Sequence, residues 1–134
     1  MAETLLYLDS SALVKLVLPE RETAALRSIL PRFAGLVSSA LAEVEVYRAI
    51  WRVSSNPKTR QNAGQVLARV NLLDLDNPIL SMASALEPKT LRSLDALHLA
   101  SALSLGTDLQ ALVTYDARLA EAARQTGLEV LAPR

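Results

Sequence analysis

Four acidic residues stand where they could act together as metal ligands or catalysts. Asp9 ends the apolar run "LLYL", and Asp116 closely follows the apolar run "ALV" in "ALVTYD". Asp95 begins an apolar segment with helical spacing, and Glu45 lies within another. Carboxylate oxygens are the ligands that hard divalent cations such as Mg²⁺ and Mn²⁺ prefer. If the fold gathers these side chains, the pattern predicts a metal centre.

Three of these acids also have an ordinary structural interpretation. Asp9 and Asp116 precede helical patterns and could each cap the helix that follows, a role worth about 1 kcal/mol. Asp95 lies in the first turn of its predicted helix, where the helix dipole favours a carboxylate. Caps have no reason to gather at one end of a sheet, whereas metal ligands do. The joint pattern therefore favours the metal centre.

The order of secondary-structure elements decides whether the acids meet. Short apolar runs typical of buried parallel strands alternate with helical patterns along the chain. Strands are predicted at residues 5–8, 35–38, 71–75, 111–114 and 128–131, and helices at 11–18, 21–30, 40–53, 58–70, 78–86, 94–105 and 117–126. This alternation predicts one domain over residues 1–134, a doubly wound three-layer α/β/α fold around a mostly parallel five-stranded sheet. Ligands of such folds bind beyond the carboxyl ends of the strands.

The predicted helix at residues 40–53 carries two acids that point in nearly opposite directions. At about 100° per residue, Glu45 shares a polar strip with Arg48 and Arg52, whereas Glu43 does not. An acid beside two arginines is suited to holding a metal and a phosphate together. An ordinary surface ion pair, worth well under about 1 kcal/mol, explains the pattern equally well.

The same helix is apolar on two sides. One stripe, which we expect to face the core, consists of Ala42, Val46, Ala49 and Val53. A second stripe consists of Val44, Tyr47 and Trp51. Because a small core rarely wraps a helix on both sides, the second stripe is a candidate protein interface.

Several polar residues near the acids are predicted to support them. The hydroxyls of Ser10, Ser11 and Thr114 could orient water beside a metal, or could simply cap and pack. His98 lies one helical turn after Asp95 and is the only histidine, so a typical zinc site is excluded. We expect His98 to be packed beside the acids rather than to act as a catalyst.

Composition excludes several classes of protein. The 134 residues include no cysteine, which excludes zinc ribbons, thiol catalysis and disulfide scaffolds. The formal net charge is zero, so no overall basic field attracts nucleic acid, although a local site remains open. No apolar run is long enough to span a bilayer and no signal peptide is evident, so we expect a cytoplasmic protein without membrane contact.

The chain resembles the PIN-domain ribonucleases, specifically the VapC-type toxins of VapBC toxin–antitoxin systems. Four segments carry the resemblance: "YLDSSALVKL", "VSSALAEVEVYRAI", "LRSLDALHLASAL" and "VTYDARLAEAA". They cover nearly the whole chain in the order of the family. "YLDSS" alone would be a weak match, but the two later segments at the right spacing make the match specific.

The resemblance implies a function for each acid. The family's four acids correspond to Asp9, Glu45, Asp95 and Asp116. We expect Asp9 and Asp95 to be the main metal ligands, and Asp116 and Glu45 to complete the metal shell or to hold the attacking water. The resemblance further implies Mg²⁺- or Mn²⁺-dependent hydrolysis of RNA that leaves a 5′-phosphate and a 3′-hydroxyl. The implied partners are a cognate VapB-type antitoxin and a second copy of the chain.

Arginines are the candidate phosphate contacts of such a ribonuclease, because the chain has no net positive charge. Arg48 and Arg52 are the first candidates, and Arg118, two residues after Asp116, is the third.

Three other functions fit parts of the pattern. A receiver-type signalling domain would use Asp74 or Asp76 as its acceptor, but the predicted fifth strand is not followed by the lysine that such a domain needs. A haloacid-dehalogenase phosphatase would need a second Asp where Ser11 stands. A PIN-like binding module without catalytic activity is the remaining alternative, and the four intact acids argue against it.

Overall fold

A computed structural model describes residues 4–134, which form five strands, seven α-helices and two short 3₁₀ turns. The strands are β1 (Leu5–Leu8), β2 (Gly35–Ser39), β3 (Asn71–Leu73), β4 (Leu109–Val113) and β5 (Val130–Leu131). The helices are α1 (Ser10–Val17), α2 (Thr23–Ile29), α3 (Leu41–Val53), α4 (Pro57–Ala68), α5 (Asn77–Ala85), α6 (Ser93–Leu103) and α7 (Ala117–Gln125). Each predicted strand and helix is present, with bounds that differ by a few residues.

The sheet has the strand order β3-β2-β1-β4-β5, and every pair of neighbouring strands is parallel. The chain builds outward from β1 to β3 and then returns to place β4 on the other side of β1. The order therefore reverses between β1 and β4, where Leu8 is paired with Val113. Ligands bind at this place in doubly wound sheets, and Asp9 directly follows β1 there.

Alternating side chains of the central strand β1 enter two different cores. Leu6 and Leu8 pack with α1, α2, α3 and α4 on one face of the sheet. Tyr7 packs with α6 and α7 on the other face. This period of two is the ordinary pleat of a strand buried on both sides, and it confirms the predicted three-layer α/β/α architecture.

Side-chain caps begin four of the helices, and for α1 and α7 the sequence predicts the capping residue. Asn56 accepts a backbone N–H bond at the start of α4. Asp9, Asp76 and Asp116 each accept backbone N–H bonds at the start of α1, α5 and α7. Gly127 follows α7 with a φ of 90°, a conformation that glycine adopts without steric cost.

One prediction about α3 is wrong at its last turn. Ala42 and Val46 are buried as expected, but Val53 is 71% exposed and Ile50 is buried instead. The helix ends at Val53, beyond the edge of the core, so the stripe that faces inward includes Ile50. Within the described residues, no helix has the length and apolar content that a membrane span requires.

Candidate active site

Asp9 is buried at the point where the strand order reverses, and three donors bind its carboxylate. Its Oδ1 accepts hydrogen bonds from the Ala12 backbone N–H at 3.0 Å and from the Ser11 hydroxyl at 2.6 Å. Its Oδ2 accepts a hydrogen bond from the Thr114 hydroxyl at 2.5 Å. The side chain therefore caps α1 and is also fixed in orientation by two hydroxyls, one from α1 itself and one from the loop after β4.

Burial is the main influence on the charge of Asp9. It raises the pKa of this carboxyl above its ordinary value, and the donors Ser11 and Thr114 only partly oppose it. A carboxylate in such a place gains free energy from a nearby cation, because burial otherwise penalises its ionised form.

Asp116 stands on the neighbouring loop and is coupled to Asp9 through Thr114. Its Oδ1 accepts from the backbone N–H groups of Arg118 and Leu119 at 2.8 and 3.3 Å, which begins α7. The Thr114 hydroxyl accepts the Asp116 N–H at 3.0 Å while it donates to Asp9. The predicted supporting role of Thr114 thus has a definite geometry, in which one hydroxyl connects the acid loops.

Asp95 lies in the first turn of α6 with one carboxylate oxygen that has no hydrogen bond. This atom, Oδ2, is buried, and no donor among residues 4–134 bonds to it. Burial raises the pKa of Asp95, and the neighbouring charge of Asp116 raises it further. A buried oxygen without a donor, next to a second carboxylate, is a place where a cation would be stabilised.

Glu45 extends from α3 and receives two donors on the same oxygen. Ser10 Oγ donates to Oε1 at 2.5 Å, and His98 Nε2 lies 2.6 Å from the same atom. Burial opposes ionisation of Glu45, but the bonds to His98 and Ser10 outweigh it and lower the pKa of this carboxyl. Glu45 is therefore ionised at neutral pH, and its partners are Ser10 and His98 rather than the arginines of its own helix.

His98 connects Glu45 to the interior of the sheet. Its Nδ1 lies 2.8 Å from the hydroxyl of Tyr7, and the two rings meet edge to face at 76°. Both side chains are buried. The sequence predicted that His98 packs beside the acids, but it gave no sign of Tyr7, because a tyrosine inside an apolar run is most simply interpreted as core.

The four acids share one cleft of about 370 Å³ at the carboxyl edge of the sheet. Its lining also includes Ser10, Ser11, Arg92, Ser93, Leu94 and His98. Sequence reasoning missed Arg92, whose Nε and Nη2 lie 3.6 Å from Asp95 and from Asp116 respectively. The available signal was its position three residues before Asp95, which places both on one face at the start of α6.

The donor set fits a hard divalent cation, although it does not form a complete cage. Within residues 4–134, no three acidic or histidine side chains lie close enough together to hold a metal ion as they stand. Mg²⁺ commonly uses one or two protein carboxylates and fills its other positions with water or phosphate oxygens. The Oδ2 of Asp95, which has no hydrogen bond and lies beside Asp116, is the observation that matches this requirement.

The arginines predicted to contact RNA lie outside the cleft. Arg48 and Arg52 are exposed on α3, and Arg118 is exposed near the start of α7. None of the three contributes to the cleft lining. Contacts from these residues would therefore reach parts of a bound strand away from the acids.

The predicted interface stripe on α3 divides into exposed and packed residues. Val44 and Trp51 are 60% and 63% exposed, as an unoccupied interface requires. Tyr47 is half-buried and packs against the core, and the guanidinium of Arg60 lies 4.4 Å from its ring centre. Tyr47 therefore contributes to the packing of α3 on α4, and Val44 and Trp51 remain as the apolar surface.

A second groove, of about 870 Å³, lies between α1, α2 and α4. Its walls include Leu16, Leu30, Val66 and Val70, with Arg27 and Arg69 among the polar lining. It contains none of the four acids, so size does not identify the chemical site in this molecule.

Comparison with known proteins places the chain among well-defined relatives. The PIN domain family model matches residues 6–125. Ribonuclease VapC46 of Mycobacterium tuberculosis is 46% identical over 128 residues, which is 96% of this chain and 97% of the relative. Ribonuclease VapC35 of the same species is 47% identical over 133 residues, with coverage of 96% and 97%.

Solved structures share the fold at low sequence identity. The VapBC2 complex of Rickettsia felis, bound to a promoter DNA fragment, contains a chain with a TM-score of 0.75 and 12% identity, covering 98% of this chain and 100% of its own length. VapC20 of M. tuberculosis, described as a sarcin–ricin loop cleaving toxin, has a TM-score of 0.73 and 13% identity, with coverage of 96% and 99%.

Proposed function

The chain belongs to the PIN-domain family, among its VapC-type ribonucleases, and we propose that it is a toxin that hydrolyses RNA with the help of Mg²⁺ or Mn²⁺. The observation that carries the metal dependence is the pairing of Asp95 with Asp116 in one cleft. One oxygen of Asp95 is buried without a hydrogen bond, and the charge of Asp116 opposes the ionisation of Asp95. A cation in the cleft would remove both penalties.

The metal would be held mainly by Asp9 and Asp95, with Asp116 completing the set, and Glu45 would hold the attacking water. When bound, Mg²⁺ or Mn²⁺ would supply counter-charge to the carboxylates and act as a Lewis acid toward the phosphodiester. Ser11 and Thr114 keep Asp9 fixed in place, so little reorganisation is needed when a substrate enters.

Glu45 is the residue best suited to accept a proton from the attacking water. Its pKa is lowered, so it is ionised at neutral pH, and Ser10 and His98 both bind Oε1. Its other oxygen, Oε2, would take the proton. The water oxygen would form a new bond to phosphorus, the bond from phosphorus to O3′ would break, and O3′ would take a proton from solvent water, which gives a 5′-phosphate and a 3′-hydroxyl.

Arg92 is the cation nearest to the site of reaction. Its side chain is 64% exposed and its guanidinium lies beside Asp95 and Asp116. A guanidinium in this position would bind a phosphate oxygen of the RNA and so orient the scissile bond. Arg48, Arg52 and Arg118 would contact the strand farther from the cleft.

A VapB-type antitoxin is the proposed inhibitor, which the likeness to a chain of the Rickettsia felis VapBC2 complex supports. A basic side chain of the antitoxin, inserted among the acids, would replace the metal as their counter-charge. The exposed residues Val44 and Trp51 are proposed to join two copies of the chain. The protein would cleave its RNA substrate in the cytoplasm.

The test is cleavage of mixed cellular RNA by the purified protein, with Mg²⁺ or Mn²⁺ and then with EDTA. Asp9→Asn keeps the shape of the side chain and removes its charge. Asp74→Asn is the matched control, since Asp74 also follows a strand but is exposed outside the cleft. We expect cleavage that needs metal, disappears in Asp9→Asn and persists in Asp74→Asn.

Equal weak cleavage by all three proteins would indicate a contaminating nuclease and contradict the proposal. If none of the three proteins cleaves RNA, calorimetry with Mn²⁺ determines whether Asp9 binds a metal at all. Binding by the wild type but not by Asp9→Asn would support a PIN-like binding module without catalytic activity. No binding would leave Asp9 as a helix cap.

A further inference from the structure

The hydroxyl of Tyr7 is the buried end of a hydrogen-bond chain that reaches the cleft. Tyr7 is fully buried in β1, and its hydroxyl lies 2.8 Å from His98 Nδ1. His98 Nε2 lies 2.6 Å from Glu45 Oε1. These two hydrogen bonds thus connect the central strand β1, through His98 on α6, to Glu45 on α3.

We infer that Tyr7 is a positioning residue of the active site, which holds His98 in the orientation and tautomer that donate Nε2–H to Glu45. The inference rests on the proposed function only in the role given to Glu45. It follows from the contacts at the two ring nitrogens.

The contact at Nε2 determines which nitrogen carries hydrogen. A carboxylate oxygen only accepts hydrogen bonds, so Nε2 at 2.6 Å from Glu45 Oε1 must carry hydrogen. In a neutral imidazole, Nδ1 then presents a lone pair, and it needs a donor. The Tyr7 hydroxyl is that donor, because a phenol carries its hydrogen at neutral pH and its oxygen lies 2.8 Å from Nδ1.

Simple core packing does not account for this arrangement. A buried tyrosine needs some partner for its hydroxyl, and an aromatic ring alone would fill the same space. Here the partner is a histidine whose other nitrogen binds a cleft carboxylate, and Ser10 binds the same oxygen. Because Ser10 and His98 both bind Oε1, the hydrogen bonds that begin at Tyr7 also fix the position of Oε2.

The test compares wild type, Tyr7→Phe and the control Tyr47→Phe by nitrogen-15 NMR of the imidazole ring. His98 is the only histidine of the sequence, so the spectrum contains one imidazole. In metal-free wild type and in Tyr47→Phe, we expect hydrogen on Nε2 and a bare, hydrogen-bonded Nδ1. In Tyr7→Phe, the Nδ1 resonance should lose this hydrogen-bond shift.

A kinetic comparison gives the second readout. Loss of a partner behind a catalytic or metal-binding side chain commonly reduces activity by about 10-fold or more. We expect Tyr7→Phe to lower kcat about 10-fold with KM nearly unchanged, because RNA contacts are untouched. His98→Gln, whose amide nitrogen can replace Nε2, should retain more activity than His98→Leu.

A ring spectrum that is identical in wild type and Tyr7→Phe, or hydrogen on Nδ1 alone in the wild type, would overturn the inference. Equal activities of His98→Gln and His98→Leu would also overturn it, and this comparison remains available if Tyr7→Phe fails to fold. Because the spectra need neither metal nor RNA, they separate this inference from the proposed function, which fails if the wild type does not cleave RNA.

Discussion

Asp95 and Asp116 share a single guanidinium, that of Arg92. Its Nε lies 3.6 Å from Asp95 Oδ2, and its Nη2 lies 3.6 Å from Asp116 Oδ2. Both contacts are long and the arginine side chain is 64% exposed, so they contribute little to folding. These contacts matter because the guanidinium of Arg92 already places a positive charge beside the two acids. A metal ion bound to Asp95 and Asp116 would compete with that charge.

This relationship predicts opposite effects of Arg92→Ala on two ligands. Loss of the guanidinium removes a charge-assisted bond to phosphate, so KM for RNA should rise about 10-fold. It also removes a competing positive charge, so the Kd for Mn²⁺ should fall. Steady-state kinetics and calorimetry measure the two constants.

Arg124→Ala is the matched control for Arg92, because Arg124 is exposed on α7 away from the cleft. It should change neither constant. A weaker Mn²⁺ affinity in Arg92→Ala would show that the arginine supports the metal site instead of competing with it, contrary to our expectation.

Substitution of the two glutamates of α3 should have very different effects on kcat. Glu45→Gln keeps an oxygen for Ser10 and His98 but removes the charge that accepts a proton, so kcat should fall at least about 100-fold. Glu43→Gln, on an exposed part of the same helix, should leave kcat unchanged. Circular dichroism would establish equal helix content, and a loss of activity in Glu43→Gln would mean that the two residues have been assigned wrongly.

The raised pKa of Asp9 predicts how stability depends on pH in EDTA. Between its ordinary pKa of 3.8 and the raised folded value, the folded state keeps a proton that the unfolded state has lost. The free energy of unfolding contributed by Asp9 therefore decreases as pH rises through this window. Asn does not titrate, so the stability of Asp9→Asn relative to wild type should increase from about pH 4 upward and then level off.

Urea unfolding at a series of pH values measures this difference. A difference that does not change with pH would show that Asp9 has its ordinary pKa in the folded protein. Addition of Mn²⁺ at neutral pH should stabilise the wild type and leave Asp9→Asn unaffected, since a ligand that binds only the folded state raises its stability.

The exposed surface of α3 predicts a dimer that one substitution can separate. Trp51→Glu places a charge where a partner's apolar surface would pack, so the dimer should dissociate into monomers. The melting temperature of the monomer should change little, because Trp51 is 63% exposed. Analytical ultracentrifugation gives the mass, and Trp51→Phe should remain dimeric. Wild type that sediments as a monomer would exclude this interface.

The sequence predicted the elements that position the site because their signals are local. The apolar run before Asp9 defines β1, and capping by Asp116 defines the start of α7. Placement of the two acids at one crevice then followed from the general topology of doubly wound sheets. The choice of Glu45 over Glu43 followed from helical geometry and from the resemblance to a family.

What the sequence left unpredicted depends on contacts between distant segments. The bond from Tyr7 to His98 joins residues 91 positions apart, and that from His98 to Glu45 joins residues 53 positions apart. No local pattern specifies such pairs. The arginines of α3 were expected beside Glu45 from spacing alone, but that spacing could not reveal that Ser10 and His98 hold the carboxylate instead.

Trp51 is the only tryptophan of the chain, and its exposure gives the molecule an optical reporter at a known place. The fluorescence emission of an indole in water lies at longer wavelength than that of an indole in an apolar contact. A shift to shorter wavelength when the protein is concentrated or mixed with a partner would therefore register occupation of α3 itself, without any label, and dilution of a dimer would give the reverse shift. An antitoxin that inactivates the nuclease without such a shift must bind somewhere else, which separates inhibition from self-association in a single cuvette.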